Sequence, residues 1–203
     1  MGILGWEDIR AALRARPARR VSAAAASRAA VAVVLREGAH GLEMLFIRRA
    51  EHPLDPWSGH MAFPGGRAEP GDADLSATAV RETLEETGID LAREAEPLGA
   101  LDEVQAMARM RPVDLAIAPF VFRLRGAPET VPSDEVRSVH WLPLDELLGP
   151  ECRSTLEYAH LDAVLQFPCL RVQDLEIWGL TYRMFQGLAE RLGLAAPAAA
   201  PGA

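Results

Sequence analysis

Apolar residues along this chain gather in short runs. Ala29–Leu35, Met44–Ile47, Val113–Phe122 and Val136–Leu142 are bounded by Gly, Pro or Asp, and predict strands of a mixed sheet. Two segments switch to helical spacing: Leu75–Thr87, opened by Asp74 as N-cap and stopped by Gly88, and Trp178–Leu192, stopped by Gly193. In the second, Leu180, Met184 and Leu188 recur with Trp178 on one face and read as core. Near the start, Trp6, Ile9 and Leu13 with two early acids predict a short amphipathic helix lying on the domain, a reading preferred to a targeting peptide.

These patterns divide the chain into a helix with an Ala/Arg-rich lead-in over residues 1–28, a single domain over 29–194, and an Ala/Pro/Gly tail over 195–203 expected to be disordered. Ala23–Ala26 reads as a linker. The longest apolar run, Ala29–Leu35, falls far short of the roughly 20 residues that span a bilayer, so no membrane partner is expected.

Charge narrows the field further. The chain of 203 residues is 49% apolar with net charge −8, which argues against a nucleic-acid polymer as partner. All 21 basic residues are arginines, so amine chemistry such as a Schiff base is excluded. Cys152 and Cys169, without clustered His, fit neither structural zinc nor a disulfide scaffold, and a reducing, cytoplasmic setting is expected.

The informative stretch is FPGGRAEPGDADLSATAVRETLEETGI, from Phe63 to Ile89. Spacings of three and four put Glu82, Glu85 and Glu86 on one helix face, in the C-terminal half where the macrodipole also disfavours negative charge. Arg81 can pair with Glu85, but one guanidinium does not offset three carboxylates, and a hard divalent cation does: Mg²⁺, with Mn²⁺ as a substitute. Pro64-Gly65-Gly66 is expected to form a glycine turn after a strand ending at Phe63, letting backbone approach a metal or phosphate closely. Set apart from their surroundings, three acids on a helix are most often a solvated face.

These residues resemble the Nudix hydrolase box: Gly66, five residues, Asp72, eight residues, then Arg81-Glu82-Thr83-Leu84-Glu85-Glu86-Thr87-Gly88-Ile89. Asp72 stands where the family carries Glu, the spacer is one residue longer, and Thr83 takes an aliphatic position. The resemblance implies an α/β fold, an α/β/α sandwich around a mixed sheet, and hydrolysis of a diphosphate linked to another moiety. It implies that Glu82, Glu85 and Glu86 hold Mg²⁺ together with the Gly65 carbonyl, that Arg81 orients Glu85, and that one glutamate serves as general base. A homodimer follows from family habit alone.

Within the family, Asp72 with its longer spacer, the Gly59-x-x-x-Phe63-Pro64-Gly65-Gly66 run after Arg49-Ala50, and Ile177-Trp178-Gly179-Leu180-Thr181 are similar to the coenzyme A diphosphatase branch. That branch expects an Arg where Leu54-Asp55-Pro56-Trp57 stands, which leaves ADP-ribose, nucleotide sugars or other nucleoside diphosphate derivatives as alternative substrates, and a non-catalytic nucleotide-sensing module as an alternative class. For substrate contacts the candidates are Gly66, Trp57 and His60 in the preceding loop, and Arg111 with Arg109, which could clasp a ribose phosphate. Packing of Trp57 on the sheet edge is an equal alternative, and for the arginines a surface role is the commoner outcome. Glu135 is a further carboxylate candidate from across the site.

Overall fold

The computed structural model describes residues 4–21, 27–53, 57–108, 111–160 and 163–194. The Ala23–Ala26 linker, Leu54-Asp55-Pro56, Arg109 and the 195–203 tail lie outside the described residues.

The chain runs through α1 (Trp6–Arg14), β1 (Ser27–Gly38), β2 (Gly41–Arg49), β3 (Met61–Ala62), β4 (Gly65–Arg67), α2 (Leu75–Thr87), α3 (Leu91–Glu94), β5 (Ala95–Ala100), β6 (Val104–Ala108), β7 (Arg111–Leu124), β8 (Val136–Pro143), α4 (Leu144–Leu148), β9 (Arg153–His160), β10 (Ala163–Val172), β11 (Leu175–Trp178) and α5 (Gly179–Arg191). The four predicted strands are β1, β2, β7 and β8, and the three predicted helices are α1, α2 and α5. The sheet has the order β3-β2-β1-β7-β5, with β4 on β1, β6 on β7 and β8 on β2. It is mixed because β1 and β7 run parallel, from Ser27–Leu115 to Leu35–Arg123, whereas the other pairs are antiparallel.

Alternation along β1 supplies both faces of this sheet with apolar side chains. Ala30, Ala32 and Val34 meet Ala79 of α2 and Leu91 of α3, while Val31, Val33 and Leu35 join Ile9 and Leu13 of α1 and Phe185 and Leu188 of α5. A three-stranded antiparallel sheet, β11-β10-β9, packs on the α5 side through Leu170, Val172, Leu175 and Ile177.

Two local features correct the sequence expectation. Gly65 and Gly66 are not a turn: they form β4, paired with Val31 and Ala30 in the space where β1 and β2 have splayed apart. A side chain could not enter there, since a Cβ on Gly65 would overlap the Ala30 carbonyl oxygen and lie 2.6 Å from Val31 Cα. Trp178 is not a buried core residue but the half-buried N-cap of α5, although Met184 and Leu188 behind it are buried as expected.

The N-terminal segment is held by arginines. Arg10 pairs with Glu96 of β5 at 2.8 Å, and Arg16 and Arg191 converge on Asp102 at 2.7 Å each. Arg28 pairs with Glu103, whose other carboxylate oxygen accepts from the Val21 amide at 2.9 Å.

Candidate active site

Helix α2 is set by its termini. Asp74 accepts a hydrogen bond from the Ala77 amide at 2.9 Å, and Gly88, at φ 76°, takes the left-handed conformation and donates to the Leu84 carbonyl. The helix buries an unusual face of Thr78, Ala79, Thr83 and Thr87. Thr83 fits the family's aliphatic position because its hydroxyl donates to the Ala79 carbonyl at 2.7 Å, and Thr87 does the same to Thr83 at 2.6 Å. The polar atoms are satisfied within the helix, so each threonine packs as a β-branched apolar residue would.

The three glutamates, expected to share one face, are placed very differently. Glu86 is 4% exposed and accepts from the Gly65 amide at 2.8 Å. Burial pushes its carboxyl up to about 8, opposed by the Gly65 amide and by Arg49. Glu82 is raised as well, again by burial, against the pull of Arg81. Glu85 remains in solvent, with 56% of its side chain exposed.

Arg81 occupies the centre. Its Nη1 donates to Glu82 and to Glu85, both at 3.0 Å, its Nε and Nη2 grip the Asp72 carboxylate at 3.0 and 3.1 Å, and Nη2 also reaches the Arg67 carbonyl at 3.0 Å. The expected Arg81–Glu85 pair is present, but the same guanidinium serves four acceptor groups. Asp72 also accepts from Thr78 Oγ1 at 2.8 Å and from the Glu69 amide at 2.9 Å. Arg81 foremost, then the Glu69 amide, holds the Asp72 carboxyl well below the usual carboxylate range. Asp72 therefore makes the arginine contact with the shorter of the two acidic side chains.

The glutamates do not converge in this arrangement: among the described residues, no three His, Cys, Asp or Glu side chains are gathered as a metal site. Their chemistry nonetheless fits a hard divalent cation. All donors are carboxylate oxygens, and Glu86 is desolvated with one amide as its hydrogen-bond partner. At Gly66 a Cβ would overlap the Glu82 carboxylate, so the absent side chain keeps space at that carboxylate. The Gly65 amide is engaged by Glu86 at 2.8 Å, so of that peptide position it is the carbonyl that the expected metal contact concerns.

The 126–136 loop closes the C-terminal end of α2, with the Val131 and Ser133 amides donating to the Thr87 and Glu86 carbonyls. Glu135, only a weak signal in the sequence, raises the carboxyls of both Glu82 and Glu86 electrostatically, and its carbonyl accepts from the Ala50 amide at 2.8 Å. Arg49 acts on Glu86 with the opposite sign.

The substrate-contact candidates are dispersed. Trp57 Nε1 donates to the Met107 carbonyl at 3.2 Å and the ring packs on the core, which ties the loop to the β6–β7 hairpin. Arg111 is exposed on that hairpin opposite Ala108. The His60 ring lies 4.7 Å from Trp178, and both line a cavity with Met61 and Leu175, which belong to the core on the opposite side of the sheet from α2.

A mixed sheet with a Gly-Gly strand set against a carboxylate-bearing helix, packed between helical layers, defines the Nudix-type α/β fold. The NUDIX domain profile matches residues 26–161, and the chain belongs to the Nudix family. An uncharacterized protein of Schizosaccharomyces pombe is 43% identical over 117 residues, covering 56% of this chain and 36% of that protein. The uncharacterized Nudix hydrolase NudL of Yersinia pestis is 29% identical over 157 residues, covering 74% of this chain and 73% of NudL. The match thus spans about a third of the fission-yeast protein and about three quarters of NudL. The structure of a C. elegans Ap4A hydrolase binary complex aligns with TM-score 0.50 at 23% identity, over 59% of this chain and 82% of that one, which supports the fold. Family and relatives support a pyrophosphohydrolase class of enzyme. No helix among the described residues is long and apolar enough to cross a membrane.

Proposed function

We propose that this protein is a Mg²⁺-dependent diphosphatase, with Mn²⁺ able to substitute, that splits coenzyme A or an acyl derivative into 4′-phosphopantetheine and adenosine 3′,5′-bisphosphate. The observation that carries the hydrolase reading is the juxtaposition of β4 and α2: Glu86 against the Gly65 amide, Glu82 against Gly66, and Arg81 linking Glu82, Glu85 and Asp72. The coenzyme A assignment is supported by the Gly59-to-Gly66 run, which here becomes the loop and strands leading into that juxtaposition.

Glu82, Glu85 and Glu86 would hold the cation. When bound, it would supply Lewis-acid charge to the diphosphate oxygens and acidify water at the site. Arg81 sets the positions of Glu82 and Glu85, and Asp72 fixes Arg81 from the other side. Glu85, the most exposed carboxylate of the three, is placed to take the proton from the attacking water while the P–O–P bond opens and the leaving phosphate carries the electron pair. Glu135 adds a carboxylate facing Glu82 and Glu86. Gly66 admits the diphosphate because it has no side chain. Trp57 and Arg111 shape the substrate approach along the hairpin, with Trp57 acting through the Met107 bond.

Product analysis of coenzyme A incubated with Mg²⁺ tests this, with wild type run beside Glu85→Gln and Glu86→Gln. The expected result is adenosine 3′,5′-bisphosphate from wild type and a loss of at least about 100-fold in both variants. Intact coenzyme A alongside rapid cleavage of ADP-ribose or a dinucleoside polyphosphate would transfer the assignment to the broader diphosphatase reading, which the Leu54-Asp55-Pro56-Trp57 departure favours.

A further inference from the structure

Across the sheet from α2 lies a cavity of about 160 Å³ lined by Arg48, His60, Met61, Asp174, Glu176 and Trp178 among others. None of the three glutamates lines it, so it is separate from the hydrolytic centre. Its position follows from strand alternation along β2: Met44 and Phe46 belong to the core on the α1 and α5 side, and Arg48, two residues on and before the register shift at Arg49, continues on that face. Arg48 and Asp174 also act electrostatically on His140 with opposite signs, Asp174 raising its pKa and Arg48 lowering it.

The walls have two characters. One is aromatic: Trp178 lies 4.7 Å from the His60 ring and is backed by Tyr158 at 5.4 Å and Phe167 at 5.6 Å. The other is polar, with a carboxylate acceptor at Asp174 and a guanidinium donor at Arg48. Neither Arg48 nor Asp174 takes part in an ion pair among the described residues, although opposite charges on one small cavity would be expected to pair. Asp174 is presented by a tight β10–β11 turn in which Gln173 adopts φ 56°, the one non-glycine residue with positive φ among the described residues. That conformation is the one a two-residue hairpin loop demands, and it fixes Asp174 at the rim of the cavity.

We propose that this cavity is the subsite for a purine base carrying an exocyclic amine, adenine in the substrate inferred above. The inference rests on the diphosphatase reading. The base stacks on Trp178 and His60, its amino group donates to the Asp174 carboxylate, and a ring nitrogen accepts from Arg48. Five residues separate His60 from Gly65, so the cavity wall and β4 lie at most about 18 Å apart along the chain, and the turnover arm of the test below asks whether one nucleotide reaches both. Arg48, Asp174 and Trp178 are then specificity-determining residues.

The test is equilibrium binding to the full chain without metal, followed by tryptophan fluorescence, with AMP, UMP and 4′-phosphopantetheine as probes. AMP is expected to quench wild type and to lose its signal in Trp178→Phe. Asp174→Ala and Arg48→Met should each weaken AMP about three- to tenfold and leave 4′-phosphopantetheine unchanged, with thermal midpoints as folding controls. In turnover, the same variants should raise KM with kcat within about twofold of wild type. Equal AMP affinity in both variants and wild type would overturn the subsite, as would equal loss of 4′-phosphopantetheine, or binding of UMP as tight as AMP. If AMP responds as expected but no diphosphate is cleaved with Mg²⁺, the diphosphatase reading falls and the subsite stands. Cleavage that persists while AMP is indifferent to both variants overturns the subsite and leaves the diphosphatase reading intact.

Discussion

The ion network at Asp102 contains an asymmetry that equilibrium unfolding can read. The Arg191 side chain is 2% exposed, while Asp102 retains 29% exposure. Arg191 donates to Asp102 Oδ1 at 2.7 Å and to the Arg16 carbonyl at 2.6 Å, with longer bonds of 3.4 Å to the Leu13 and Pro17 carbonyls. Its Nε is buried without a hydrogen-bond partner. Replacing Arg191 by Met removes two good charge-assisted bonds, worth about 1.5–3 kcal/mol each, but also removes the unsatisfied Nε, whose burial costs about 1–3 kcal/mol. Asp102 is not orphaned, since Arg16 still grips both its oxygens at 2.7 and 2.8 Å and the Arg19 amide donates at 3.0 Å. The expected net loss is about 2 kcal/mol. Asp102→Ala is worse, about 3–5 kcal/mol, because it strands a buried guanidinium on backbone carbonyls. Urea titrations of both variants at neutral pH measure the difference, which corresponds to a Tm gap of several degrees for a chain of this size. Arg16 above all, with the Arg19 amide and Arg191, holds the Asp102 carboxyl below the ordinary carboxylate range. A depressed folded value contributes stability that is fully present above the unfolded value of about 3.9 and is lost as the pH falls through the folded one, so the gap between wild type and Asp102→Ala should narrow progressively as the pH drops below about 4. A Met variant at Arg191 as damaging as Ala at Asp102 would refute the dominance of the buried cation in this network.

Three further outcomes are expected at the site. Glu86→Gln should abolish diphosphate cleavage yet leave the urea midpoint equal to wild type or higher, because it removes a desolvated carboxyl; a clear loss of stability would contradict this. Gly66→Ala should keep the fold and lower activity at least about tenfold by displacing Glu82, whereas Gly65→Ala, colliding with the Ala30 backbone, should destabilise by about 1–3 kcal/mol, and thermal melts with activity assays separate the two. Trp57→Phe should cost about 1 kcal/mol through the lost Met107 bond, read by unfolding, with packing otherwise retained.

The legible parts of the fold are those whose signals are local. Asp74 and Gly88 bracket α2 by bonds within one turn, and β1, β2 and β7 are buried over most of their length, so their apolar runs are plain, while β8 is marked by buried Val136 and Leu142 at its two ends. The β9-β10-β11 sheet is hard to read because its alternation is shallow: Leu156, Tyr158, Leu165 and Phe167 are only half-buried, and Pro168 sits inside a strand. Strand β5 is hidden by a register shift between Pro97 and Gly99, which breaks the period on which a strand reading depends. The Gly65-Gly66 strand is masked for a related cause. Glycines ordinarily mark turns, and only the splaying of β1 from β2, a tertiary feature, makes room for a strand without side chains.

At the site, spacing identifies the three glutamates and the Arg81–Glu85 pair but does not assign burial. The helix period places Glu82, Glu85 and Glu86 on one face, yet only contact with β4 decides that Glu86 is enclosed and Glu85 solvated. The repulsion inferred among the three carboxylates is met first by protein: Arg81 takes Glu82 and Glu85, and the Gly65 amide takes Glu86. Because Arg81 is itself anchored by Asp72, its guanidinium is the fixed point about which the two outer glutamates are arranged. A cation entering the site would therefore compete with Arg81 for Glu82 and Glu85 but would meet at Glu86 a carboxyl whose ionisation burial opposes. The buried glutamate is thus the position with the most to gain from a cation, and the exposed one the position best placed to exchange protons with water.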